Sequence, residues 1–297
     1  MGPCPTGPST GPCPGQPKPA PTAPSWSAAI CAVARKEWLI TKRYPSWILA
    51  MLVWPILLPL SFAFGGRAMA GPSGESLAAF ARLTGTADYT GYVAVGTVLW
   101  LWMNAALWDS GTFFRQEQMR GTLDSNWMAP APRISHLLGA QLFSLLMGLV
   151  MTSIAILEFR FLLGVRITGS PWVLALSVAA VVPCVYGLSL LFASLVVWAK
   201  DVSTMVNVVR GAFLIFCGVS FPLVVLPGWM RTVASALPLT YAINAVRTAA
   251  LTKVGLDAVG RDLAVLVVYG CVLLASGFAA FNYTERQARR RGSLSHY

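Results

Sequence analysis

Histidine and acid are scarce in this chain of 297 residues: it holds two histidines and 11 acids against 22 lysines and arginines. Acid–base or nucleophilic catalysis needs paired acids, a histidine cluster or a nucleophile beside a base, and neither His136 nor His296 has an acidic partner near it in sequence. Catalysis on this chain is therefore not expected. Cysteine gives no framework either. Cys4 and Cys13 lie in a repeated Gly-Pro-Cys-Pro with no histidine nearby, and Cys184, Cys217 and Cys271 sit inside apolar runs, where a thiol behaves as a small hydrophobe. The expectation is no metal site and no cofactor. A Gly-x-x-x-x-Gly-Lys-Ser/Thr loop is missing, which excludes nucleotide binding by that route. Nor does the N-terminus have the basic start and apolar core of a signal peptide. Charged residues make up only 11%, against about 25% in an ordinary soluble domain. The few ionisable groups in apolar runs, Asp109, Glu158 and Arg210, read as lying near helix ends, where snorkelling is cheap. An ion-driven carrier needs such groups midway through the bilayer, or a matched pair of broken helices, and neither pattern is evident. If the chain takes part in active transport, its energy comes from another polypeptide.

What is abundant is apolar residue, 56% of the chain, with a mean hydropathy of +0.64. That composition predicts an all-α polytopic membrane protein. The net charge of +11 does not point to nucleic acid, because the basic residues sit in short loops and at the termini. Residues 1–24, rich in Pro, Gly, Ser and Thr, are expected to be a disordered tail. From Ser25 to Tyr44 a helical projection puts Trp26, Ile30, Val33, Ile40 and Tyr44 on one side, with Glu37 intruding on it, so this segment is either an interfacial helix or the basic flank of the first span. Six spans are expected: Ser46–Phe64 bent at Pro55 and Pro59, Thr90–Ser110, His136–Leu163, Pro171–Trp198, Ser203 to about Val225, and Asp262–Tyr283. Gly65–Tyr89 reads as a polar loop, and Lys200-Asp201 as a tight turn. Leu226–Arg261 is cut by Pro227-Gly228, Pro238 and Gly255 into pieces too short to cross, which suits a re-entrant or interfacial helix pair. The membrane domain thus spans 25–283, with a basic tail over 284–297.

Between the second and third spans lies a polar stretch, Phe113 to Arg133, with Arg115, Glu117, Arg120, Asp124 and Arg133, a Gly121-Thr122 pair that can start a short helix, and a Pro130-Ala-Pro132 stop. Placing both termini inside puts fourteen of the 22 basic residues, including those of this stretch, on the cytoplasmic side. A surface helix there could be gripped and moved by a soluble partner. On the second span, Trp100, Asn104 and Trp108 recur every fourth residue on one face, which serves as a possible substrate pathway or as ordinary packing and interfacial anchoring.

Two motifs, in order on six spans, resemble the permease subunits of ABC-2 type exporters, in particular the bacterial drug and antibiotic branch of the daunorubicin-resistance kind. The first is Glu117-Gln-Met-Arg-Gly121-Thr122-Leu123-Asp124 followed by Pro130; the second is Leu226-Pro227-Gly-Trp229 with Pro238-Leu-Thr240-Tyr241 and Arg247. Gln118 and Met119 replace a commonly charged pair, and Asp124 stands where Glu is commoner. The resemblance implies a cytoplasmic coupling helix contacting a separate ATPase subunit through Glu117, Gly121, Thr122, Leu123, Asp124 and Pro130. It implies extracellular re-entrant helices whose Pro227, Trp229, Pro238, Thr240, Tyr241 and Arg247 shape an outer gate. It also implies a second permease subunit, most simply a homodimer, in the lipid of a bacterial inner membrane, with antibiotic resistance as the associated role. The cargo expectation is a hydrophobic or amphipathic molecule. Two alternatives stay open: a polysaccharide or lipid-linked glycan exporter, and a membrane scaffold or immunity protein that transports nothing.

Overall fold

The computed structural model describes residues 25–70, 75–121, 134–196 and 202–291. The N-terminal tail over 1–24, the Lys200-Asp201 turn, and Thr122, Leu123, Asp124 and Pro130 lie outside the described residues. Every regular element among the described residues is helical.

Helix α1 (Trp26–Lys42) begins at Ser25, whose hydroxyl accepts from the Ala28 amide and so satisfies one of the free N–H groups of the first turn. It buries Ala29 and Val33 against α5 (Ile134–Leu162). Trp26 and Tyr44 of the projected apolar side remain exposed. α2 (Pro45–Ala70) carries Pro55 and Pro59 inside it, both buried against the protein, where neighbouring groups can serve the carbonyls a proline frees. The polar loop expected over 65–89 is largely helix instead: α2 runs on to Ala70, and α3 (Glu75–Thr84) follows. Phe80 of α3 meets Tyr89 and Tyr92 edge-on, with ring centroids 5.1 and 5.0 Å apart. Phe80 thus serves as an aromatic anchor that holds this short helix to the two tyrosines.

α4 (Tyr89–Met119) is longer than the span read from hydropathy, because Phe-Arg-Gln-Glu-Gln-Met after Phe113 has good helix propensity and continues it. Gly121 then adopts φ of +67°, the left-handed conformation that closes helices. Gly121 thus closes α4, and the short helix expected from Gly121-Thr122 onward falls on residues outside those described. α6 (Pro171–Val196) and α10 (Leu256–Arg291) make the most extensive helix pair. At Gly187 an added Cβ would lie 2.6 Å from the Leu274 amide, so the pair owes its closeness to a missing side chain. α10 starts earlier than Asp262 and carries on through the basic tail to Arg291.

α7 (Val202–Phe216) is where the sequence reading departs furthest. A span to Val225 was expected, but the helix stops at Phe216, Gly218 turns with φ of +64°, and Pro222 leads into a single 3-10 turn over Leu223–Val225. Fifteen residues reach about 22 Å, short of a hydrocarbon core of about 30 Å. α8 (Gly228–Ser235) and α9 (Pro238–Leu251) follow. Among the described residues, five helices are long and apolar enough to cross a membrane: Pro45–Ala68, Tyr89–Phe113, Ile134–Leu162, Pro171–Leu195 and Leu256–Thr284. The main core lies among α4, α6, α7, α9 and α10, around Met103, Leu107, Val206, Ile243 and Leu266.

Candidate functional site

At the end of the bundle where α4 closes, four charged side chains interlock. The Lys36 ammonium donates to Glu117 Oε1 at 2.7 Å and lies 3.2 Å from Glu37. Arg120 reaches Glu117 at 3.3 Å and Glu37 at 3.5 Å. Glu117 is 1% exposed, whereas Lys36 and Arg120 keep about a third of their side chains in contact with solvent. Two acids and two bases cancel locally, so the buried carboxylate has the paired partners that burial demands. This clasp ties α1 to the last turn of α4. Of the residues expected to contact an ATPase, Glu117 is thus turned into the protein, and Gly121 is exposed at the helix end.

The clasp also explains a flaw in the pattern of α1. Glu37 falls on the apolar side of that helix because there it meets Arg120. Lys36 had no visible partner in sequence. The signal that could have found the clasp was the lone acid on an apolar face.

Away from the clasp, the expected gate residues gather around α8 and α9. Pro227 precedes α8 and Pro238 opens α9, where its missing N–H costs nothing. The carbonyls at the C-terminal end of α8 and its cap gain side-chain donors: Thr240 donates to Ala234 at 2.7 Å, beside the Leu237 amide, Tyr241 to Ser235 at 2.8 Å, and Tyr269 of α10 to Ala236 at 3.2 Å. Trp229 stands apart, 65% exposed, and meets the ring of Phe216 edge-on.

Arg247 is the hub of this region. It is buried, donates Nε to the Tyr92 carbonyl at 3.1 Å, and donates Nη2 to the Gly218 and Val219 carbonyls at 3.2 and 3.1 Å. Its guanidinium lies 3.3 Å from the centre of the Tyr92 ring. Among the described residues no carboxylate bonds it. The two carbonyls follow the end of α7, where a helix carries its negative pole, so the charge is met by oriented dipoles and a ring face. Gly96 makes room: a Cβ there would fall 2.2 Å from the Val219 carbonyl oxygen and 2.5 Å from Nη2. One side chain thereby joins α4, α9 and the turn after α7.

The aromatic face of α4 is mostly inside this monomer. Trp100 is buried and donates to the Arg210 carbonyl at 3.1 Å, with the Arg210 guanidinium 5.6 Å from its ring centre. Trp108 is half-buried against the main core. The Asn104 side-chain oxygen is buried without a hydrogen-bond partner.

Sequence reasoning missed a polar network between α4, α5 and α6. Gln141 donates to Ser110 and Ser189, each at 3.1 Å, and Ser144 donates to Asp109. Trp102 reaches the Tyr186 hydroxyl at 3.4 Å. Asp109 was assigned to a helix end; because α4 runs to Met119, it lies well inside the helix. Gln141 and Ser144, three apart in an apolar run, were the available signal.

Compared with known proteins, no curated sequence matches the chain. The family model described as ABC-2 type transporter matches residues 28–251, from the first turn of α1 to the last residue of α9. The chain is therefore a multi-pass membrane protein of the ABC-2 type transporter family, whose permeases generally work with an ATPase partner.

Proposed function

We propose that this chain is the permease subunit of an ATP-driven exporter, moving a hydrophobic or amphipathic molecule out of the cytoplasm or inner leaflet of a bacterial plasma membrane, with ATP hydrolysed on a separate subunit. The observation that carries the reading is the continuity of α4. One helix runs from Tyr89 across the membrane domain to Met119, and its last turn is locked to α1 through Glu117. An ATPase pressing on the segment that begins at Gly121 would move α4, and through the clasp α1, rather than flex a loop. Closure of an ATPase pair on ATP would then tilt α4 and α5 and change which side the central path faces.

In this reading both termini are cytoplasmic, two copies of the permease pair in the lipid, and Gly121, Thr122, Leu123, Asp124 and Pro130 meet the ATPase. α7 followed by α8 and α9 serves as a fifth span with a re-entrant pair, and Arg247 with Thr240 and Tyr241 holds that pair as an outer gate. The drug and antibiotic branch fits better than a glycan exporter, which needs a wide continuous channel; the cleft beside Met103 and Pro238 and the one beside Trp102 and Met151 are both small and apolar. To test the reading, the chain is co-purified with its ATPase subunit, reconstituted in proteoliposomes, and assayed for hydrolysis and transport. Coupled transport that falls at least ten-fold in Glu117→Gln, with assembly and the ATPase's own hydrolysis intact, is the expected result. No association with an ATPase subunit would overturn it.

A further inference from the structure

The sequence reading puts Arg210 near a helix end, but α7 runs from Val202 to Phe216 and holds it in the middle. α4 and α7 lie antiparallel: Gly96 approaches Val219, Trp100 bonds the Arg210 carbonyl, and a Cβ on Gly111 would meet Val202 and Val206 at 3.3 and 3.4 Å. Arg210 is therefore level with Trp100, midway along the span Tyr89–Phe113. Its guanidinium stays at that level, 5.6 Å from the Trp100 ring centre, instead of snorkelling to an end. Among the described residues no acid pairs with it, and none accepts a hydrogen bond from its side chain. A cation so placed is expensive in lipid, and such groups turn to a partner or a water-lined path.

Arg210 does not stand alone. Ser203 and Asn207, both exposed, precede it by seven and three residues, which puts all three on one face of α7, apart from the face that buries Val202, Val206 and Phe213. From α4 comes Asn104, one turn on from Trp100 and level with this part of α7. Its side-chain oxygen is buried with no hydrogen-bond partner, so the polar arc is incomplete as well as unneutralised. Beside the arc runs an apolar stripe, Val208, Gly211 and Ile215, at intervals of three and four. Val208 and Ile215 are 65% and 49% exposed, and a Cβ on Gly211 would meet nothing within 4 Å, so room is open beside Arg210. A second copy does not answer the charge. Related by a two-fold, it brings the same cation, α7 carries no acid, and Asp109, the one acid of the α4 span, is turned to Ser144 of α5.

We infer that this arc receives the head of an anionic amphiphile, a carboxylate or phosphate held by Arg210 and Asn207, while the apolar body lies along Val208, Gly211 and Ile215. The inference rests on the exporter reading above and specifies its substrate class. The guanidinium is a planar fork that matches two oxygens of either head, and the Asn207 amide adds donors beside it. Water that accompanies the head can donate to the orphaned Asn104 oxygen. A neutral or cationic amphiphile would leave Arg210 unmatched.

The test uses the full chain in nanodiscs, with empty nanodiscs subtracted, and three dansyl-labelled probes on one undecyl chain: the carboxylate, the phosphate monoester and the methyl ester of the carboxylate. Wild type is expected to bind one acidic probe or both about ten-fold more tightly than the ester, and the tighter of the two identifies the head. Arg210→Gln should remove that preference and leave ester binding within about two-fold, and Arg210→Lys should keep part of it. Gly211→Trp, which fills the open stripe, should weaken all three probes alike. Equal binding of the three probes by wild type overturns the inference even where Arg210→Gln fails to fold. So does a preference that survives Arg210→Gln, since it would belong to basic residues elsewhere, or a Gly211→Trp variant that binds as wild type does. An Arg210→Gln variant that separates paired copies also overturns it, because Arg210 would then be a subunit contact. No ATPase takes part in the assay, so a failed preference leaves the exporter reading standing, and acid-selective binding without coupled transport removes that reading alone.

Discussion

The Lys36–Glu117 clasp and the Arg247 hub each hold a buried charge, and they do so with different materials. In the clasp, ionic side chains face one another, and the two cations keep about a third of their surface exposed, so either can return to water when the contact opens. In the hub, the charge is fixed by three backbone carbonyls and a ring, none of which can follow it elsewhere. A contact that can open and reform suits a joint that moves; one built from backbone suits a fixed point. The two regions thereby divide the labour expected of a lever and its fulcrum.

The largest effect should come from the hub. Arg247→Ala strips three carbonyls of their donor and is expected to cost on the order of 3–5 kcal/mol, read as a fall in the melting temperature of the purified chain. Arg247→Lys keeps the charge but not the fork, and should lose roughly half of that. A melting temperature unchanged in both variants would break the contrast. Next comes Gly96→Ala, which drives a methyl into the Val219 carbonyl and the guanidinium together. It is expected to lower stability by about 2 kcal/mol, whereas a neutral outcome would mean that α4 and the turn after α7 are free to part.

The clasp should respond more weakly in stability and more strongly in function. A double-mutant cycle of Glu117→Gln with Lys36→Met is expected to show about 1 kcal/mol of coupling, reduced because Lys36 is partly exposed. Raised salt should shrink that coupling and leave the hub unaffected. Coupling that is absent at low salt would deny the clasp its role. The smallest effect is expected at Gly121→Ala, where a Cβ at φ of +67° costs about 1 kcal/mol or less but loosens the end of the lever. Transport should fall there by more than stability does.

How much of this the sequence disclosed follows from what each signal measures. Hydropathy located α2, α4, α5, α6 and α10 to within a few residues at their apolar ends, since burial in lipid is written in composition. It could not mark where helices continue past the membrane, because Arg115 to Met119 and the residues after Tyr283 are helix formers without apolar bias. It overran α7, because the turn at Gly218 and the stretch after it are as apolar as the helix before them. Of the candidate residues, Arg247, Thr240 and Tyr241 came from the motif, yet what Arg247 bonds is backbone, which no side-chain pattern announces. The Asp109 network escaped because its members lie on three helices, with Ser189 far along the chain from Ser110 and Gln141.

The central claim is that the segment beginning at Gly121 is the cytoplasmic handle of the lever. Met119, 80% exposed at the end of α4, offers the most direct probe of it. In a chain whose native cysteines are replaced by serine, Met119→Cys is treated with a membrane-impermeant maleimide, with and without the ATPase subunit. Labelling in inside-out vesicles alone, slowed when the ATPase subunit is bound, is the predicted result. Labelling from the outer face, or labelling that the ATPase leaves unchanged, would contradict it.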